Sequence, residues 1–300
     1  MKRLFIQLNV AILLLSVFSF HCQGADKYTL EYKLEQGKTY KQRMVSEANM
    51  TANVMGQDMK MEMKSEISIH YDVVGQKDDV YDIRASYRKI KTEMGVPMPF
   101  SIDSDAPEQS SDKNIGEMLK SLTEIPFDLQ ITKQRKVISV KGADKLEEKI
   151  NTLTNAQFKQ MFSQQFSEKA IQLNFEQMSS FFPDKPVAIG DSWDVAMNLN
   201  SGGIDIISKM ILTLKQVQDN IATLEFRGTL ATPEGGAVIQ FQGMDSNVSV
   251  NGQQTGTIQL DIKTGWILRS EILQKFTQEM EIMGQNMPQE MDIRITVTAD

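Results

Sequence analysis

Thioethers are abundant in this chain, with 19 methionines in 300 residues. Met59-x-Met61-x-Met63 and Met94-Gly95-Val96-Pro97-Met98 bring several of them to short spacing. Soft thioether donors suit Cu(I). Methionine also fills irregular core space or lines an adaptable apolar pocket. Met59, Met61 and Met63 continue along one alternation into Ile67 and Ile69, which favours core or pocket lining and leaves Cu(I) as an alternative. A second apolar set is aromatic. Phe158, Phe162 and Phe166 recur at four-residue spacing, one face of a helix.

Other chemistries are short of residues. The chain has one cysteine, Cys22, and two histidines, His21 and His70. Zinc sites need these residues in groups, so no metal centre of that kind and no cofactor is expected. A histidine-dependent serine hydrolase would have to use His70, which falls on the polar side of a strand pattern. Gly190-Asp191-Ser192 has the start of a GDSL esterase motif, but no histidine follows it. Asp78-Asp79 and Asp103-Ser104-Asp105 are paired carboxylates able to take a hard cation or do acid–base work. Both lie in polar segments where Asp commonly fixes turns. The chain is therefore expected not to be an enzyme.

Lys2 and Arg3 followed by an apolar stretch to Phe20 form a secretory signal over residues 1–24. Two processing routes stand side by side: cleavage after Gly24, or lipidation of Cys22, which would add a lipid anchor. Removing Lys2 and Arg3 leaves 30 basic against 39 acidic residues, and no basic cluster, so nucleic acid is not an expected partner. No later apolar run is long enough for a transmembrane helix. The expected setting is the periplasm or the outer membrane of a Gram-negative-type envelope.

Alternation is the clearest structural signal. From 59 to 73 the odd positions are Met59, Met61, Met63, Ser65, Ile67, Ile69, Tyr71 and Val73, with polar residues between them. This is an amphipathic strand of fifteen residues, roughly 50 Å long, which must curve. Trp266, Leu268, Ile272, Phe276 and Met280 repeat the pattern, followed by Met291, Ile293, Ile295 and Val297. Met55-Gly56-Gln57 and Met283-Gly284-Gln285 are hairpin turns. Paired motifs, Gly37-Lys38-Thr39-Tyr40 with Gly190-Asp191-Ser192-Trp193 and Asp78-Asp79 with Asp219-Asn220, suggest two related halves. Between them, Leu146, Ile150 and Leu153, then the phenylalanine row, then Ile171, Phe175 and Phe182 indicate two or three helices over 143–182. Asn155 and Ser167 are their caps. A shorter helix at 112–122 carries Ile115, Met118, Leu119 and Leu122.

The predicted fold is α+β: a long, curved, half-barrel-like antiparallel β-sheet with amphipathic helices packed on one face. Residues 25–300 are expected to form a single domain, with a first β half at 25–142, helices at 143–182 and a second β half at 183–300. Gly37-Lys-Thr-Tyr40, Ser101-Ile-Asp-Ser-Asp105, Lys141-Gly142, Phe182-Pro-Asp-Lys-Pro-Val187 and Gly190-Asp-Ser-Trp193, in that order, resemble an uncharacterised family of bacterial envelope proteins of about this length. The resemblance implies no activity. The architecture resembles half-barrel lipoprotein carriers, and that analogy implies a hydrophobic or lipid-like ligand between sheet and helices. Phe158, Phe162, Phe166, Met59, Met61 and Met63 would line the site. The alternative is an interaction or scaffolding module with an envelope protein partner.

N-terminal sequencing of the envelope fraction is expected to start at Ala25, or to be blocked by a lipidated Cys22. An intact Met1 in the cytosol would overturn both routes.

Overall fold

The computed structural model describes residues 26–54, 57–97, 99–133, 136–201, 204–241, 244–282 and 285–300. The signal segment, Cys22 and the glycine turns at 55–56 and 283–284 lie outside the described residues. The first half of the chain contains β1 (Lys27–Tyr28), β2 (Thr39–Val54), β3 (Gln57–Lys77), β4 (Val80–Met94), β5 (Phe100–Asp103), α1 (Lys113–Thr123), β6 (Phe127–Thr132) and β7 (Val137–Lys141). Helices α2 (Ala143–Ile150), α3 (Ala156–Phe166) and α4 (Glu168–Ser179) follow. Then come β8 (Val187–Ala188), β9 (Ser192–Ser201), β10 (Ile204–Gln218), β11 (Ile221–Ala231), β12 (Ala237–Phe241), β13 (Met244–Asp261), β14 (Ile267–Ile282) and β15 (Gln285–Thr298).

Thirteen strands form one antiparallel sheet in the order β7-β6-β4-β3-β2-β15-β14-β13-β11-β10-β9, with β5 added to β4 and β12 to β13. Read from β9, the sheet is a meander that runs to β15, crosses to β2 and continues to β7. The junction between sequence-distant strands is therefore the seam between β15 and β2, where Met291 faces Met50 and Val297 faces Met44. The short β1 pairs with β8 apart from the main sheet.

The motifs paired in the sequence form similar turns. Gly37 and Gly190 both have positive φ and lead into β2 and β9. The β3–β4 and β10–β11 turns each place an Asp at positive φ, Asp78 at 54° and Asp219 at 52°. Asp and Asn tolerate this left-handed region better than other side-bearing residues.

Helices form where the period changes, with Asn155 and Ser167 capping α3 and α4 as the sequence reading expects and Asp112 capping α1 besides. Asp112 accepts from the amides of Asn114 and Ile115, and Asn155 from that of Phe158. Ser167 accepts from Ala170. Such caps stabilise a helix by about 1 kcal/mol each. Ile115, Leu119 and Leu122 of α1, Leu146 and Ile150 of α2, Phe162 and Phe166 of α3, and Ile171 and Phe175 of α4 are buried against the strands. Leu30, Tyr32 and Leu34 complete this core from the N-terminal side. Trp266 sits at its base among the rings of Tyr32, Tyr40 and Tyr71.

The sheet is open yet strongly bent, and α4 stands where its two edges approach. Glu176 accepts from the Val137 amide at the β7 edge, and its neighbour Gln177 donates to the Asn198 carbonyl at the β9 edge. Part of the bend comes from missing side chains. A Cβ on Gly256 would collide with the Glu271 carbonyl and come within 2.6 Å of the Phe226 ring. Gly256→Ala is expected to cost about 2 kcal/mol through overpacking. Gly95→Ala, whose Cβ would meet nothing nearer than Glu62 Cβ at 3.6 Å, should change stability by less than about 0.5 kcal/mol. Denaturant midpoints of the two variants test this.

Candidate functional site

Along an antiparallel sheet, residues facing each other across strands project to the same side. The registers therefore define continuous rungs on the concave, helix-bearing side. One rung runs Thr92, Ser65, Ser46, Ile295, Ile272, Gly256, Phe226, Leu212 and Trp193. The next holds Met94, Met63, Ala48, Ile293, Gln274 and Gln254. Beyond it lie Met61, Met50, Met291, Phe276, Gly252 and Leu230. Nearer the tip, Met59 faces Ala52 and Met287 faces Met280.

Cover over this surface is uneven. Towards the end of β3, Tyr71 and Val73 are buried beneath the helices, whereas Met59 is 42% and Met63 40% exposed. Met61, Met50 and Met291 are half-buried. The sequence pattern assigned all eight odd positions of 59–73 to one face, and they do share it. The helices simply end before the strand does, so the methionines lie on an uncovered extension of the core face. On the β9–β13 side the same extension curls into a small core of its own, with Ile204, Ile206, Leu230, Val248, Val250 and Met280 buried.

The phenylalanine row joins this surface to the interior. Phe158 stacks on Phe100 with centroids 5.4 Å apart, and Phe100 faces Met94 across β4–β5. Phe158, Phe162 and Phe166 follow one another at 6.4 and 6.3 Å, and Phe166 meets Tyr87 edge-on at 5.1 Å. Phe162 and Phe166 are enclosed by these rings, at 2% and 0% exposure, and Phe158 is half-buried at the rim. The structure thus brings Phe158, Met61 and Met63 to one face and sets Phe162 and Phe166 behind it. Met50 and Met291 belong to the same rung as Met61, and sequence spacing could not indicate them because they arrive from β2 and β15.

The opposite side of the sheet is charged. Arg43 Nε donates to Glu66 Oε1 at 2.9 Å, which holds the Glu66 carboxyl below its ordinary pKa, and Lys64 pairs with Glu47 at 2.8 Å. Three of the four paired carboxylates found by sequence meet lysines: Asp79 with Lys133, Asp103 with Lys91 and Asp105 with Lys89. Asp191 accepts from the Ala188 amide, a turn bond that accounts for its place between Gly190 and Ser192. Among the described residues no group of three or more His, Cys, Asp or Glu is placed to hold a metal ion. A cleft of about 450 Å³ lined by Asp72, Arg84, Ser86, Arg88, Thr123, Glu124 and Pro126 also opens on this side, and sequence reading did not point to it.

The architecture is that of a helix-capped, open antiparallel sheet with an uncovered apolar extension. The chain belongs to DUF6263, a family of unknown function, whose model matches residues 78–267. No curated protein sequence matches it. Among solved structures it is similar to one describing lipid–protein interactions in lipovitellin, with TM-score 0.49 and 9% identity over 89% of this chain. The chain spans a quarter of that lipovitellin chain's length, 25%. It is also similar to an outer membrane channel from Pseudomonas putida F1, with TM-score 0.24, 7% identity, and coverage of 90% of this chain and 97% of that one. A DUF1329 family protein from Desulfovibrio piger gives TM-score 0.15 and 12% identity, covering 86% and 85%. No described helix is long and apolar enough to cross a membrane.

His70 faces Lys41 and Ser86 on the charged side. Burial first, then the charges of Arg88 and Lys41, lower its pKa below the ordinary 6.5. The unfolded chain therefore binds this proton more readily than the folded one, so protonation draws stability down as pH falls below about 6.5. His70→Gln is expected to reduce the stability lost between pH 7.5 and 5.5, read from denaturation midpoints. Identical pH profiles for the two proteins would refute the assignment.

Proposed function

We propose that the protein binds an apolar, chain-like ligand along the uncovered part of the concave face, as an exported, non-enzymatic protein of the cell envelope. The observation that carries this reading is the half-exposed apolar surface formed by the rungs of Met61 and Met63 and bordered by Phe158 and Phe100. A continuous exposed apolar patch on a folded protein commonly marks a binding surface. Methionine suits a ligand of variable shape, because its flexible thioether repacks at little cost. Phe162 and Phe166 form the packed floor behind this surface, so the ligand lies beyond the helices and not beneath them. That ring packing also favours the second reading, in which the same face receives an envelope protein partner and no small ligand.

Chemistry supports a binding role over catalysis. His70 lies on the opposite side of the sheet, and Asp79, Asp103 and Asp105 are paired with lysines. Export rests on the basic and apolar segment before Ala25.

A fluorescent fatty acid titrated into the protein should bind and be displaced by unlabelled fatty acid. Met50→Asp and Met61→Asp place a carboxylate on the surface and should weaken binding at least about tenfold. Leu273→Asp, on the charged side, should not. Phe158→Trp emission should change with ligand while Phe162→Trp emission stays constant. Absence of probe binding, or equal loss in Leu273→Asp, would overturn the proposal in favour of the protein-docking reading.

A further inference from the structure

Met50 is the centre of an arrangement that no sequence spacing displays. It lies directly opposite Met61 on β3 and directly opposite Met291 on β15, so three adjacent strands contribute one thioether each to a single rung. Facing Cβ atoms in antiparallel pairs are about 4.5–5.5 Å apart. With three rotatable bonds per side chain, the three sulfurs can converge on one ion. All three residues are half-buried, which leaves an approach from solvent. Further methionine pairs flank the rung, Met63 opposite Met94 and Met280 opposite Met287.

The surroundings select the kind of ion. Neighbours on the same face are Ala48, Ile293, Ala52, Gln289 and Gln274, all without charge. Alternation turns Lys60, Glu62, Asn49, Glu290 and Asp292 to the other side. Hard divalent cations require several oxygen ligands, commonly carboxylates, and these neighbours offer no carboxylate, only the amide oxygens of Gln274 and Gln289. Thioethers are soft donors that favour Cu(I) over harder ions, and a monovalent charge is the least costly to hold on an apolar surface. We propose that Met50, Met61 and Met291 form an all-thioether site for a soft monovalent cation of the Cu(I) class.

This role uses sulfur lone pairs, whereas binding of an apolar chain uses only the apolar surface, and Met→Leu variants test the sulfur role directly. Leucine conserves volume at small packing cost and removes the donor. In a Cys22→Ser background, where no thiol competes, the protein is titrated anaerobically with Cu(I) against a chromophoric Cu(I) chelator. Ag(I) serves as a redox-inert probe in methyl NMR. The expected result is a first equivalent held with sulfur-only coordination by X-ray absorption, with the methyl signals of Met50, Met61 and Met291 shifting together. Met50→Leu should weaken retention at least about tenfold. Met118→Leu, in the buried face of α1, should leave retention unchanged. Failure to hold Cu(I) against the chelator, nitrogen or oxygen in the first shell, or equal loss in Met118→Leu would each overturn the site. The NMR titration of the unsubstituted protein decides the matter even if a variant misfolds.

Discussion

Two neighbouring residues of α4 touch opposite edges of one sheet, and the shape of the molecule depends on that contact. An edge strand carries a row of unpaired amides and carbonyls, which proteins must pair, cover or blunt. Closing the sheet into a barrel would pair β7 with β9. Here a helix is interposed: Glu176 takes up an amide of β7, and Gln177 donates to a carbonyl of β9. The connection from β7 to β9 is itself the α2–α4 segment, so the chain that must travel between the edges also covers them. The same helices supply the apolar faces that fill the bend. One packing solution thus serves edge protection, curvature and core formation.

A consequence is that helical cover extends only part of the way along the strands. α3 and α4 are 11 and 12 residues long, rising about 1.5 Å per residue, while the 21 residues of β3 rise about 3.3 Å each. No helix of this length shelters the whole strand. The uncovered part resolves differently on the two sides. On the β9–β13 side, glycines such as Gly256 and Gly252 let adjacent strands approach closely, and the sheet curls over its own apolar residues. On the side of β2, β3 and β15, the face stays open with methionine as its chief residue. Methionine there is apolar enough for the core alternation, flexible enough for an unmatched surface, and a sulfur donor as well. The proposed apolar binding and soft-ion binding would both draw on that combination.

The charged side carries cross-strand pairs such as Arg43–Glu66 and Lys64–Glu47. Of these, the exposed Lys64–Glu47 pair adds little to stability. Their effect is to fix which side of each strand faces water, since a one-residue slip would turn lysines and glutamates into the core. The open methionine face therefore keeps its register although little packs upon it.

Sequence alone determined what local physics governs. Alternation over 59–73 assigned each residue to its side, because strand periodicity is two wherever the strand pairs. Asn155 and Ser167 marked helix starts through side-chain oxygens that reach amides three residues on. Four-residue spacing put Phe158, Phe162 and Phe166 on one helical stripe. Tertiary structure decided everything that depends on long-range pairing. Whether Phe162 lined a space or filled one rested on how closely α3 met the strands, where Phe166 packs on Tyr87, and no spacing encodes that. Met59-x-Met61-x-Met63 were legible because they share a strand, yet residues two apart on a strand lie roughly 6.6 Å from each other. Facing residues on paired strands lie closer, and the seam that sets Met291 beside Met50 joins positions near opposite ends of the chain. Their proximity follows from the burial of one continuous sheet face, a property of the whole fold that no local stretch of sequence contains.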